Sequence, residues 1–133
     1  MDSDDRLAMP RMRATPEEAR TMPVSAGRAS PVLLRHGSME LHWLELRTED
    51  TQTPHDRDEV YIVVSGTGMF VRAEDRHPFA DGGVLPLAGE ERVPVKPGDA
   101  LFVPAGTVHR FEATSPDFGA WMVFYGPEGG EVP

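Results

Sequence analysis

Two short stretches of this chain carry residues whose types and spacing can do chemistry. In "TPHDRDEVYIVVSG", His55 and Glu59 stand four residues apart, just before an apolar run. In "GDALFVPAGTVH", His109 follows a Pro-x-Gly turn made by Pro104 and Gly106. Residues 55 and 59 share parity, so on an extended strand they face one side. Two strand ends, distant in sequence, each deliver an imidazole, and one also brings a carboxylate. Two imidazoles and a carboxylate suit Fe, Mn, Ni, Zn or Cu. The chain has no cysteine, so thiolate sites and disulfides are excluded and any metal must be held by His and carboxylate. Each residue also has a plainer reading. His55 could be an exposed turn histidine, Glu59 a strand-end charge, and His109 a core histidine bonded to a backbone carbonyl.

The elements that must position these groups are short and punctuated. Gly and Pro number 13 each in 133 residues, a composition that fits short strands joined by turns better than helices. "VLLRH", "MELHWLELR", "EVYIVVS", "MFVRA", "RVPV", "ALFVP", "HRFEAT" and "AWMVFY" read as strands, separated by turns such as "HGS", "SGTG", "KPGD" and "PAG". This pattern indicates an all-β sandwich or barrel in a single domain. In "MELHWLELR", Leu41 and Trp43 fall on one face and His42, Leu44 and Leu46 on the other, so that strand is expected to be covered on both sides. Residues 73–91 read as a weakly structured insertion, a loop or flap, whose "GEE" at 89–91 is a solvated turn.

Residues 1–30 differ from the rest. They mix charges of both signs with prolines and have no hydrophobic period. "TPEEAR" has the spacing of a capping box: Thr15 as cap, Pro16 at the first helical position, Glu18 three residues after the cap. Pro23 would stop the helix after about two turns, so residues 1–30 read as an arm that is partly disordered or holds a short helix over 15–22. The barrel domain is expected over residues 31–133.

Charge narrows the partners. The formal net charge is -9 with a single lysine, Lys96, which argues against nucleic acid and against anionic membrane surfaces. No apolar run is long enough for a membrane span, and the N-terminus lacks the apolar centre of a signal peptide, so a cytoplasmic protein is expected.

The two stretches together resemble the motifs of a single-domain cupin. The cupin first motif ends with a histidine, three or four residues, a glutamate, six residues and a glycine; His55, Glu59 and Gly66 follow it. The second motif is matched by Gly98, Pro104, Gly106 and His109, while its final Asn is replaced by Ala113. The resemblance covers residues 31 to 126 and implies a double-stranded β-helix or jelly-roll barrel that binds one divalent transition metal (Fe, Mn, Ni or Zn) through His55, Glu59 and His109. It departs at position 53, where the first histidine of the His-x-His pair is replaced by Thr53. Gln52 is chemically the better ligand but has the wrong parity, and Pro54 could turn it inward. A barrel that lost its metal along with that histidine is the rival reading.

Around the expected site, Tyr61 and Val63 share the parity of Glu59. Tyr61 is a candidate catalytic proton donor or substrate partner, against the reading of a packed tyrosine. Arg57 also has inward parity, with Asp56, Asp58 or a substrate carboxylate as prospective partners, against the preferred reading of a solvated turn charge. His36 and His42 read as edge or core groups, and His77 as an exposed loop residue. Trp121, Met122, Phe124 and Phe111 read as core or pocket lining.

Three functions compete. The favoured one is a metal-dependent enzyme with dioxygenase-type chemistry on a small organic molecule. The second is a redox-neutral isomerase, cyclase or lyase acting on a sugar or polyketide carbonyl, with Tyr61 or His42 as acid or base. The third is a non-catalytic binding or sensing module. Cupin kinship also implies a homodimer formed through edge strands or arms, with residues 20–35 as the contact.

Overall fold

In the computed structural model, residues 11–23, 30–46, 54–73 and 89–132 are described. Among them one helix, α1 (Pro16–Thr21), precedes eight strands: β1 (Val32–His36), β2 (Met39–Glu45), β3 (Asp58–Ser65), β4 (Gly68–Ala73), β5 (Glu90–Val95), β6 (Ala100–Val103), β7 (His109–Glu112) and β8 (Gly119–Tyr125). The strands form a five-stranded sheet, β1-β2-β8-β3-β6, and a three-stranded sheet, β5-β4-β7. Every pairing is antiparallel. Two antiparallel sheets with little helix are the jelly-roll architecture that the paired motifs imply.

Alternation along the strands decides what faces inward. Along β8, Ala120, Met122 and Phe124 are buried while Trp121, Val123 and Tyr125 are only partly so. In β3, Glu59, Tyr61 and Val63 are buried between the less covered Val60, Ile62 and Val64. The inward set meets Phe70, Val95 and Phe111 of the smaller sheet in one apolar core. Its aromatic rings pack edge-on or tilted: Tyr61 with Phe111 at 5.0 Å, Phe70 with Phe111 at 5.1 Å, and Phe111 with Phe118 at 4.9 Å between centroids. The Tyr61–Phe111 pair ties the two sheets together beyond simple area burial.

Strand β2 is covered on both sides, as its sequence predicts. Leu44 and Leu46 join the barrel core, while Leu41 and Trp43 join a second cluster outside it. That second cluster is closed by α1, whose Ala19 is buried against it. The helix starts where the capping spacing places it: Thr15 Oγ1 accepts a hydrogen bond from the Glu18 amide at 3.2 Å, with Pro16 opening the first turn. Arg20 holds it down, its guanidinium 5.3 Å from the Trp43 ring and bonded to Glu45 at 3.1 Å. Among the described residues no helix is long and apolar enough to cross a membrane.

One local expectation is corrected. Glu90 and Glu91 do not form a solvated turn but begin β5, paired with Ala73 and Arg72 of β4. Their carboxylates explain the difference: Glu90 pairs with Arg92 at 3.1 Å and Arg110 at 3.2 Å, a cross-strand charge ladder that includes Glu112. Of the expected insertion, residues 74–88 lie outside the described residues, and His77 with them.

Candidate metal centre

Glu59 stands near the start of β3, which lies between the edge strand β6 and β8 in the larger sheet, opposite Val103 on one side and Phe124 on the other. Its inward parity buries it completely, at 0% exposure. His55 precedes β3, and its carbonyl accepts a hydrogen bond from the Gly106 amide at 2.6 Å. Gly106 adopts φ 78, the left-handed conformation that glycine enters without a Cβ penalty. Next to it, the Ala105 amide donates to Asp58 Oδ1 at 2.9 Å. The turn of the second motif is thus bonded to the entry of the first, and His109 follows immediately at the start of β7 in the other sheet.

The three side chains converge. One ligand atom from each of His55, Glu59 and His109 lies within 4.8 Å of the others. Glu59 Oε1 is 3.3 Å from His109 Nε2 and 3.7 Å from His55 Nε2. His109 Nδ1 donates to the Thr107 carbonyl at 2.9 Å. A carbonyl can only accept, so the Nδ1 of the neutral ring carries the proton and Nε2 keeps its lone pair, able to accept from the Tyr61 hydroxyl 3.1 Å away or to bind a cation shared with Glu59. Backbone orientation of a histidine through its other nitrogen is the usual support of a ligating imidazole.

The polar inventory fits a cation. His55 Nε2 and both Glu59 oxygens are buried without a hydrogen-bond partner among the described residues. Leaving a buried carboxylate unbonded is costly, and a metal ion satisfies these atoms at once. The donor set, imidazole with carboxylate, is the type that holds first-row transition metals. Burial pushes the His55 imidazole below its ordinary value, against the opposing pull of the Glu59 charge, which favours the neutral form a metal requires.

Tyr61 is fully buried, and its hydroxyl lies 3.1 Å from His109 Nε2. It is therefore both a packed core tyrosine and a neighbour of the cluster. Thr53 and Gln52 lie outside the described residues. The replacement of the motif's Asn by Ala113 has a backbone meaning: Ala113 has φ 52, a left-handed conformation that Asn tolerates better than Ala.

A second polar group lies on the same inner wall. His42 and Glu40 stand on β2, paired with Met122 and Phe124 of β8. The His42 Nε2–H donates to Glu40 Oε1 at 2.9 Å, and the Ser30 hydroxyl bonds His42 Nδ1 at 2.9 Å. Arg57 does not pair with Asp56 or Asp58; it lies 3.3 Å from Glu40 Oε2 and donates to the Ser38 carbonyl. Burial raises the Glu40 carboxyl, but the His42 hydrogen bond and the charges of Arg35 and Arg57 outweigh it and hold the group below its ordinary range. The Phe124 ring stands between the two groups, 4.9 Å from the rings of both His42 and His55 and 5.7 Å from the Arg57 guanidinium. Neither Glu40 nor Ser30 stands out in the sequence by type or motif spacing. The parity Glu40 shares with His42 was the available signal. His36 lies at the exposed end of β1, away from this wall. Trp121 points outward, edge-on to Trp43 at 4.8 Å, whereas Met122, Phe124 and Phe111 line the interior.

Comparison with known proteins agrees with the fold. The Cupin domain family matches residues 82–125. An uncharacterised protein of Streptomyces coelicolor is 35% identical over 94 residues, which are 71% of this chain and 74% of that protein. An acireductone dioxygenase of Parvibaculum lavamentivorans is 36% identical over 76 residues, 56% of this chain, and the match spans 35% of that longer protein. Among solved structures, a cupin-2 domain containing protein from Shewanella frigidimarina superposes with a TM-score of 0.51 at 17% identity, covering 77% of this chain and 85% of that one.

Proposed function

The chain belongs to the cupin family, and on that premise we propose that it is a metal-dependent enzyme acting on a small organic molecule, with dioxygenase-type chemistry. One observation carries this reading: a wholly buried carboxylate with both oxygens unbonded faces two imidazole nitrogens. The local kinship with an acireductone dioxygenase supports the choice of dioxygen chemistry.

In this reading His55, Glu59 and His109 hold one divalent transition metal (Fe, Mn, Ni or Zn). When bound, the metal would supply a Lewis acid for a chelating substrate and, as Fe, Mn or Ni but not Zn, a redox centre. The protein's own residues do the rest. The Thr107 carbonyl fixes the His109 tautomer. Tyr61, beside His109 Nε2, can donate a proton or a hydrogen bond to a group held at the cluster. Phe124, Met122 and Leu44 form an apolar wall that excludes water.

A redox-neutral isomerase, cyclase or lyase is the second reading, favoured by the position of the Tyr61 hydroxyl, an acid within reach of the cluster. The test is metal analysis of protein purified without chelator, followed by oxygen uptake after loading with Fe(II) and candidate chelating substrates. One equivalent of metal, lost in His109→Ala, is expected. Oxygen consumption supports the dioxygenase reading. Turnover with Zn and no oxygen uptake supports the second, and ligand-induced thermal stabilisation without turnover points to a binding module. Absence of stoichiometric metal overturns the whole proposal.

A further inference from the structure

We propose that Arg57, set across the Phe124 ring from His55, is the carboxylate-binding end of the substrate site, so that the substrate is a small organic acid held by the metal at one end and by Arg57 at the other. This deepens the metal-dependent reading above and rests on it.

The placement follows from register. Across three neighbouring strands, Glu40 of β2, Phe124 of β8 and Glu59 of β3 form one transverse row. One row further along the strands stand His42, Met122 and Tyr61. The metal cluster and the Arg57–Glu40–His42 group therefore share one inner wall at one level. A single phenyl ring separates them, in contact with His55 at 4.9 Å and with the Arg57 guanidinium at 5.7 Å. A molecule about as long as that ring, on the order of four to six carbons at roughly 1.5 Å or less of reach per bond, bridges the two ends.

The charge around Arg57 is suited to an anion. One carboxylate, Glu40, faces the guanidiniums of both Arg57 at 3.3 Å and Arg35 at 3.6 Å, and also takes the His42 bond at 2.9 Å. Two fixed positive charges thus share one negative charge, in a protein whose net charge is -9. A guanidinium has five N–H donors in a planar fork. Arg57 uses donors on Ser38 and Glu40, two contacts that do not use up the five N–H groups of the fork, and its side chain is not sealed from solvent, at 23% exposure. The two anchors give the guanidinium a fixed direction, which lowers the ordering cost of binding a carboxylate. Arg57 follows His55 by two residues in the segment that leads into β3, so both are delivered by the same stretch of chain.

The test uses nickel-loaded full-length protein and two probes of equal length, malate and 2-hydroxybutyrate. Both carry the same α-hydroxy-carboxylate chelating group, but only malate has a second carboxylate. Calorimetric titration is expected to show malate binding on the order of tenfold more tightly, the effect of one charge-assisted pair. Arg57→Gln is expected to bring malate down to the level of 2-hydroxybutyrate, with nickel affinity unchanged. Arg57→Lys keeps the charge without the fork and is expected to fall between. Glu40→Gln removes the competing carboxylate and is expected to tighten malate. Equal binding of the two probes by the wild type, or an unchanged preference in Arg57→Gln, overturns the proposal. If nickel itself fails to bind, the metal reading falls separately. The Arg57 subsite is then read in metal-free protein, where equal thermal shifts with the two probes overturn it as well.

Discussion

The amide of Gly106 donates a hydrogen bond to the carbonyl of His55 at 2.6 Å, so the turn that precedes one prospective ligand fixes the backbone of another. The two residues come from separate motifs and meet only because β3 pairs with β6. The bond depends on the left-handed φ of 78 at Gly106. In Gly106→Ala the turn must either bear a strain of about 1–2 kcal/mol or relax and move its amide. Relaxation displaces His55 from Glu59. We expect metal affinity to fall by about tenfold, the usual scale for loss of a supporting contact. Titration with a fluorescent chelator as competitor measures it. Unchanged affinity alongside a lower melting temperature would show that the turn supports the fold alone.

Much of this arrangement was legible from residue types and spacing. The parity of Glu59 and Tyr61 foretold their common face because side chains alternate along β3, whereas His55 lies before that strand and is placed by the bond of its carbonyl to Gly106. The Pro104-Ala-Gly106 turn was readable because proline and glycine have few alternatives there. The partners of Arg57 were not. Its neighbours Asp56 and Asp58 are close in sequence, yet Asp58 is engaged by the Ala105 and Glu131 amides, and Glu40 arrives from a strand two positions away in the sheet. Long-range register of this kind is set by the packing of whole strands, which local pattern does not encode. The start of β5 at Glu90 was hidden for a similar reason, since its charges are stabilised by arginines from β5 and β7.

Ala113 offers a test of backbone strain away from the cluster. Its φ of 52 is a conformation that costs an L-residue roughly 1–2 kcal/mol, and less for Asn. Ala113→Asn should therefore stabilise the protein by about 0.5–1 kcal/mol. Chemical denaturation gives the value. A loss of stability would mean that the alanine methyl makes a contact worth more than the strain.

The pH response follows from His55. Burial depresses its imidazole below the ordinary value, with the Glu59 charge opposing. As pH falls through about 6.5, the unfolded chain takes up a proton that the folded site still refuses. The unfolded state then binds more protons, so metal-free protein should lose stability below that pH. In His55→Gln this part of the slope should vanish. The same depression keeps the ligand neutral, so metal affinity should decline only below about 6.5. Melting temperatures from pH 8 down to about 5, with and without metal, separate the two effects. A metal-free protein equally stable across that window would exclude the depressed imidazole.

The most discriminating substitution is Glu59→Gln. Glu59 is 0% exposed, and neither oxygen has a hydrogen-bond partner among the described residues. A buried carboxylate in that state destabilises the metal-free fold, because desolvation is not offset by bonding. Glutamine has nearly the same shape and no charge. If the carboxylate is present to hold a cation, its removal should raise the stability of metal-free protein by about 1–3 kcal/mol. The same change should abolish the stabilisation that added metal gives the wild type, since a neutral amide is a poor ligand for a divalent transition ion. The two shifts have opposite signs, and an ordinary structural glutamate would produce neither. Differential scanning calorimetry of both proteins, each with and without one equivalent of metal, reads them together. A destabilised metal-free Glu59→Gln would show that Glu59 works for the fold, through the charge it places 3.3 Å from His109, and the candidate centre would have to be abandoned.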